Sequence, residues 1–380
     1  MTERGFTQAE FANRLSRAQN AMASKGLGAL LLTTEPEVRY FTGFLTRFWE
    51  SPTRPWFLIV PASGAPVAVI PSIGASLMAR AGVRDIRTWS APDLTDDGVT
   101  LLADTLAELV PKGERIGVPD GHETHLRMPL GDFERLRRLL PDRLLVGDKG
   151  ILRTLRLVKS DAEIAKIETA CSIAGRAFAR APEIAAEGRP LDEVFRKFQM
   201  LCLEEGADWL PYLAGGAGPG GYDDVISPAT QRPLARGDVL MLDTGLVWDG
   251  YFCDFDRNWS IGPPAQETRD AHARLIDATA KAFETARPGI TAADLHAVMA
   301  SVLGGETDAG RLGHGLGMSL TEWPSLIPSD QTILEAGMVL TLEPGVETSG
   351  GIIVHEENIA ITTTGARYLT PVAAREAVVL

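Results

Sequence analysis

The sequence predicts an α/β (α+β) protein of two domains, one over residues 1–155 and one over 156–380 in which helices cover a sheet. Three observations point there. The 380 residues exceed one small domain, and two domains of roughly 100–200 residues are the usual solution. Helical and strand-like apolar periods alternate through the first third, the pattern of a layered α/β domain. Near 150–160 the pattern changes: a turn-like Asp148-Lys149-Gly150 leads into Ser160-Asp161-Ala162-Glu163, a Ser-x-x-Glu capping spacing ahead of a long apolar-periodic run.

Taken in order, residues 8–25 place Phe11, Leu15, Ala18 and Met22 at helical spacing, until Gly26 and Gly28 break the period. Ala29-Leu30-Leu31-Leu32 then reads as a buried strand. The apolar runs at 56–61 and 66–71, joined by Ala62-Ser63-Gly64-Ala65, read as a hairpin. Residues 97–110 and 129–140 read as helices, with a strand at 114–118 between them. In the second domain, helical stretches at 160–182, 190–206, 264–287 and 291–303 alternate with strands at 238–247, 338–343 and 352–362.

Composition narrows the function. With 45% hydrophobic and 23% charged residues the chain can bury a core, which excludes wholesale disorder. No run approaches the roughly 20 apolar residues of a membrane span, and the charged start MTERGFTQAEFANRLSR lacks a secretory apolar stretch. A net charge of −13 without a basic stripe argues against nucleic acid. Cys171, Cys202 and Cys253 form no CxxC pair and no disulfide framework. The expectation is a cytoplasmic protein.

The chemistry lies in the second domain. VLMLDTGL (239–246) is an apolar strand interrupted by Asp243, and YFCDFDRNW (251–259) brings Asp254 and Asp256 after a turn. A carboxylate in such a strand needs a partner, and Asp243 alone is as readily half of a salt bridge to Arg257 as a metal ligand. RLGHGLGM (311–318) sets His314 between glycines, which by itself is more often structural than ligating. VLTLEPG (339–345) carries Glu343, and IIVHEENIAI (352–361) carries Glu356 and Glu357. Apolar strands that each deliver an acid, with one His in a Gly turn, are hard to explain as unrelated salt bridges. Oxygen-rich ligation with one imidazole suits a divalent cation, and a two-metal hydrolytic centre is the natural reading.

The ordered set MLDTG, GYFCDFDR, GHGLGM, LEAGMVLTLEPG and EENIAIT resembles the pita-bread metallopeptidases, which include methionine aminopeptidase, aminopeptidase P and prolidase, with creatinase as a relative. RLSRAQNAMASKGLGALLL, RYFTGF and LRLVKSDAEIAKIETA are similar to the creatinase/prolidase branch, so the resemblance spans essentially the whole chain. It implies a creatinase-like N-terminal domain and a pita-bread catalytic domain. It implies two divalent metal ions, manganese first among manganese, cobalt, zinc and iron. Asp243 would chelate one ion, His314 and Glu343 the other, and Asp254 and Glu356 would bridge both. A bridging hydroxide would attack an amide carbonyl while Glu343 relays a proton. Glu356 is preferred to Glu357 because it fits the motif, and strand alternation would turn His355 and Glu357 to the other face. The implied function is metal-dependent hydrolysis of a dipeptide or small amide, of the Xaa-Pro dipeptidase or aminopeptidase type. The branch also implies a homodimer in which residues 46–57 of one chain border the partner's pocket, with Arg54 and Trp56 as substrate contacts.

Departures from the pattern carry information too. Proline-directed members have a second His seven residues after the ligand His; here it is Thr321, a donor that cannot be cationic. A further His, about 17 residues before the first ligand, is Ile226 here, an Arg two residues before the last is Val354, and a Thr after the bridging Asp is Asp256. Thr321 and Asp256 are therefore candidate catalytic groups beside Glu343. Tyr222, in the Gly-rich loop 214–224, joins Glu322, Trp323 and Val354 as candidate pocket residues. That loop lacks the Lys-Ser/Thr of a phosphate cradle. The losses leave two alternatives open. One is a non-peptidase enzyme on the same metal site, such as a dimethylsulfoniopropionate-type lyase or small-amide hydrolase; the other is a catalytically inactive binding module.

Overall fold

The structure, a computed structural model, describes residues 3–51, 55–305 and 310–380. The chain forms two compact units, Glu3–Arg156 and Leu157–Leu380.

In the first unit, α1 (Gln8–Lys25) starts where Thr7 Oγ1 accepts from the Glu10 N–H and stops at left-handed Gly26. There follow β1 (Ala29–Leu32), α2 (Glu35–Thr42), β2 (Phe57–Pro61), β3 (Val67–Pro71), α3 (Ala75–Arg80), β4 (Asp85–Trp89), α4 (Val99–Leu109), β5 (Arg115–Val118), α5 (Leu130–Leu139) and β6 (Leu144–Gly147). The six strands form one sheet in the order β4-β3-β2-β1-β5-β6. The predicted hairpin is β2–β3, with Phe57 opposite Val69. The strands β4 and β6 escape the sequence pattern because both are short, partly exposed sheet edges; β4 (DIRTW) has no apolar run, and β6 (LLVG) is an apolar run of only four residues.

The second unit takes in the end of α6 (Ile151–Leu157) and then α7 (Asp161–Ala179). The Ser160 capping box is present: Ser160 Oγ accepts from the Glu163 N–H, and Glu163 accepts from the Ser160 N–H at 3.0 Å. α8 (Leu191–Glu204), β7 (Trp209–Pro219), β8 (Asp238–Trp248), β9 (Tyr251–Phe252) and β10 (Phe255–Ser260) precede α9 (Gln266–Thr285) and α10 (Ala292–Leu303). Then come β11 (Gly313–Gly315), β12 (Glu322–Ser325), β13 (Val339–Leu342), β14 (Gly345–Thr348), β15 (Gly351–Val354), β16 (Glu357–Ile361), β17 (Ala366–Tyr368) and β18 (Val378–Val379). One sheet runs β18-β10-β8-β7 with β9 on β8, another runs β12-β11-β13-β16-β17, and β14–β15 is a separate hairpin. Every residue of β8 is buried, which is why it reads as an apolar strand. Helices α9 and α10 pack on a core that includes Leu275, Leu295, Met299, Leu340 and Ile359. No helix among the described residues is long and apolar enough to cross a membrane.

The expected continuous strand 352–362 is two strands in two different sheets. His355 N–H donates to the Pro344 carbonyl at 3.1 Å, and Glu356 N–H to the Asp256 carboxylate at 2.8 Å. Those two residues leave the ladder because tertiary acceptors replace their strand partners. The break delivers Glu356 to the site described next.

Candidate metal centre

Three neighbouring sheet segments converge on one buried cluster. Ligand oxygens of Asp243, Asp254 and Glu356 lie within 4.8 Å of one another. His314 Nε2 is 3.2 Å from Asp254 Oδ2 and 3.5 Å from Glu343 Oε2. The five residues singled out in the sequence thus come together. Asp243 sits in β8, Asp254 in the break before β10, His314 in β11, Glu343 just after β13 and Glu356 just before β16.

Local contacts fix each donor. His314 Nδ1 lies 2.7 Å from the Gly315 carbonyl. A carbonyl only accepts, so the proton sits on Nδ1 and the Nε2 lone pair faces the acids. Gly313 and Gly315 are required there, because a Cβ on either would meet backbone oxygen of Thr341 or Trp323 at 2.2 and 2.0 Å. Asn358 clamps Asp254: its Oδ1 accepts from the Asp254 N–H at 3.0 Å and its Nδ2 donates to the Asp254 carbonyl. Burial and the surrounding acids, Asp243 first among them, keep the nearby Tyr212 hydroxyl protonated.

Burial pushes the carboxyls of Asp243, Asp254 and Glu356 well above the usual range, and neighbouring acids push Asp243 and Glu356 further. Burial raises Glu343 too, against the pull of His314 and Arg311. Buried carboxylates this close cannot all ionise without a counter-charge. Asp243 Oδ1, Glu343 Oε2 and Glu356 Oε2 are buried without a hydrogen-bond partner, although buried acceptors are normally satisfied. Orphaned oxygens beside an oriented imidazole fit a hard or borderline divalent cation.

Other predicted site residues fall elsewhere. Asp256 lies opposite Asp243 and is fully buried. Its oxygens accept from Glu356 N–H at 2.8 Å and Asn258 Nδ2 at 3.1 Å, and His355 Nδ1 is 3.4 Å away. It therefore positions Glu356, with no oxygen left for a substrate. Tyr222 is a correction: 2% exposed, its hydroxyl accepts from Val354 N–H at 2.7 Å and binds Asn258, so it braces the β14–β15 hairpin. Glu322 is another, because its carboxylate is buried against Lys159 at 3.1 Å and accepts from the Ser319 N–H. Trp56 is 1% exposed and packs with Phe44, Trp49 and Gly74 inside the first unit, so it cannot reach a substrate. Its anticipated companion, Arg54, lies outside the described residues. Val354 and Trp323 are half-buried, Ile226 is 89% exposed in the β7–β8 connection, and Thr321 accepts from Arg311 Nη2 at 3.3 Å.

His355 and Glu357 pair with each other at 3.3 Å, in a network of their own. Burial would lower His355, but Asp256 and Glu357 raise it; burial would raise Glu357, but Arg257, His355 and Thr370 hold it at about 2. Sequence reasoning missed Tyr212, Asn358 and Arg311. The last two stand inside the quoted motifs EENIAI and RLGHG, yet nothing in residue type alone tells a clamp from a bystander.

Residues 165–363 match metallopeptidase family M24, and residues 14–158 match the creatinase/prolidase N-terminal domain. The chain is 32% identical to the Xaa-Pro dipeptidase of Pyrococcus horikoshii over 64% of its own length and 71% of that protein. It is 29% identical to the probable dipeptidase PepE of Mycobacterium tuberculosis over 96% and 95%. The crystal structure of dipeptidase PepE from Mycobacterium ulcerans superposes with a TM-score of 0.84 at 29% identity, covering 98% of this chain and 99% of that one. Recombinant prolidase from Thermococcus sibiricus gives 0.86 at 25% identity, covering 99% and 100%.

Proposed function

Because the chain belongs to metallopeptidase family M24, we propose that it is an Xaa-Pro dipeptidase whose Asp243, Asp254, His314, Glu343 and Glu356 hold two divalent cations. The observation that carries this reading is the set of buried carboxylate oxygens without hydrogen-bond partners, gathered beside the Nε2 of His314. Bound there, such cations would polarise the scissile carbonyl and make a water nucleophilic near neutral pH.

The chain's own residues do the rest. His314 and Asp254 are held rigid by Gly315 and Asn358, which limits reorganisation at the site. Glu343, 24% exposed where Asp254 is 6%, is the acid that can exchange a proton with the attacking water and the leaving amine. Its carboxyl is raised by burial, which suits it to proton exchange better than an ordinary exposed carboxylate. Thr321 offers the growing oxyanion a neutral donor, a weaker one than imidazolium.

The test is metal analysis of protein incubated with Mn²⁺, Co²⁺, Zn²⁺ or Fe²⁺, followed by Gly-Pro, Ala-Pro and Leu-Pro hydrolysis with and without chelator. Chelator-sensitive release of proline is the expected result. Metal uptake with turnover confined to cyclic amides or sulfonium carboxylates would replace the peptidase reading by a small-amide hydrolase or lyase. Failure to take up metal would remove it.

A further inference from the structure

A cavity of about 260 Å³ lies within the C-terminal unit, apart from the metal cluster: none of Asp243, Asp254, His314, Glu343 and Glu356 lines it. Its walls include Phe178 of α7, Trp259 of β10, His272 of α9, His355, and Pro371 and Val378 of the C-terminal segment. Most of these walls are flat rings. Phe178 and Trp259 are 5.9 Å apart between ring centres, and His272 and His355 are 6.4 Å apart.

Two of the walls carry polar atoms that the described chain leaves unused. His272 is 6% exposed, and its Nε2 lies 3.1 Å from the Ala374 carbonyl. A carbonyl only accepts, so the proton sits on Nε2. Burial disfavours the charged ring, so Nδ1 is a bare acceptor. Trp259 is 5% exposed, and its Nε1–H can only donate. Neither His272 Nδ1 nor Trp259 Nε1 has a hydrogen-bond partner among the described residues, although buried polar groups are normally paired. Water fills such a space poorly: at about 30 Å³ each, roughly eight molecules would face walls that are mostly apolar.

The charged groups nearby are already matched. Arg257, which also lines the cavity, donates to Glu357 at 3.1 Å and to the Asp256, Glu356 and Pro371 carbonyls. His355 stands between Asp256 at 3.4 Å and Glu357 at 3.3 Å. Glu376 is exposed to solvent. An ionised ligand would shed its hydration against apolar walls without gaining a counter-charge, which is costly.

We propose that this cavity is a second binding site, for a small neutral aromatic ligand that donates one hydrogen bond to His272 Nδ1 and accepts one from the Trp259 N–H. An aromatic carboxamide carries both functions on one group. A single substituted ring also suits the volume, which lies between the roughly 150 Å³ that holds benzene and the roughly 300 Å³ at which drug-sized pockets begin.

The experiment follows benzamide, toluene, benzoate and benzylamine binding to the full chain by ligand-observed NMR, in the presence of Mn²⁺. Benzamide should bind more tightly than toluene by about 5–100-fold, the range of two neutral hydrogen bonds, and more tightly than either ion. His272→Phe and Trp259→Phe each keep a ring and remove one bond, so each should weaken benzamide by about 2–10-fold and leave toluene unchanged. Saturating Gly-Pro should not displace benzamide. Toluene or either ion binding as tightly as benzamide, displacement by Gly-Pro, or an unchanged benzamide affinity in both variants would overturn the proposal. If the variants do not fold, wild-type crystals soaked in benzamide decide: benzamide between His272 and Trp259 keeps the site, and its absence from there removes it.

Discussion

Stripping the cations and raising the pH should weaken the C-terminal unit, and restoring the cations should reverse the loss. Burial raises the carboxyls of Asp243, Asp254, Glu343 and Glu356. A carboxyl raised by folding binds its proton more tightly in the native state than in the unfolded chain. Stability is therefore full below the unfolded value of about 4 and is lost as pH climbs through the folded value. Metal-free protein should be weaker at pH 8 than at pH 5. A ligand bound only by the native state, at a hundredfold excess over its dissociation constant, contributes about 2.7 kcal/mol. Two such sites contribute about 5 kcal/mol. In a domain of 150–250 residues each kcal/mol moves the melting temperature by about 2–4 °C, so the unit Leu157–Leu380 should gain about 10–20 °C. The assay is scanning calorimetry of EDTA-treated protein at pH 5, 6.5 and 8, with and without Mn²⁺, beside Glu356→Gln. The variant removes one of the crowded acids, so its metal-free pH slope should flatten while its metal-dependent gain falls. Metal-free wild type as stable at pH 8 as at pH 5, or an undiminished Mn²⁺ gain in Glu356→Gln, would refute the reasoning.

Other changes test the supporting residues. Thr321→His supplies an imidazole donor and should raise kcat on Xaa-Pro dipeptides, within the roughly 10²–10³ range of one oxyanion donor; steady-state kinetics showing no gain would deny Thr321 a part. Asn358→Ala leaves the Asp254 N–H and carbonyl buried without partners, so urea titration should find a loss of about 2–6 kcal/mol, at about 1–3 kcal/mol per group, and Mn²⁺ affinity should fall about 10–100-fold. Asp256→Thr should destabilise the protein by removing one of the two carboxylates beside His355, and adding His355→Leu should recover part of the loss; a coupling below about 0.5 kcal/mol in the double-mutant cycle would mean the two are independent.

Much of this architecture was legible because its signals are local. Helix α7 begins at a Ser160–Glu163 capping box that four consecutive residues specify. Strand β8 reads cleanly because all its positions are buried and one is an acid. What escaped the sequence depends on partners distant along the chain. Tyr222 and Glu322 look like loop residues free to meet a substrate, but Val354 and Lys159, more than 100 residues away, claim them. Trp56 reads as an exposed anchor in a mixed basic and aromatic stretch, yet three further aromatic and glycine neighbours enclose it. Burial of a polar or aromatic side chain is a tertiary fact, and no periodicity announces it.

The break between β15 and β16 joins these two levels. Alternation alone keeps residues 352–362 in one strand and lets only side-chain direction separate Glu356 from its neighbours. In the fold, the Glu356 N–H leaves the ladder for Asp256 Oδ1, and His355 Nδ1 turns to the same oxygen. Asp256 stands where the resemblance implies a threonine, so a new negative charge lies beside four acids that already repel one another. That substitution would be costly by itself. It is tolerated here because its oxygens are filled by a backbone N–H, an amide and an imidazole that Asp256 itself helps to keep protonated. The same charge that threatens the cluster thereby fixes the backbone of one of its ligands. Departures from the family pattern in this chain are best read with the side chains they touch: Asp256 with His355, and Thr321 with Arg311.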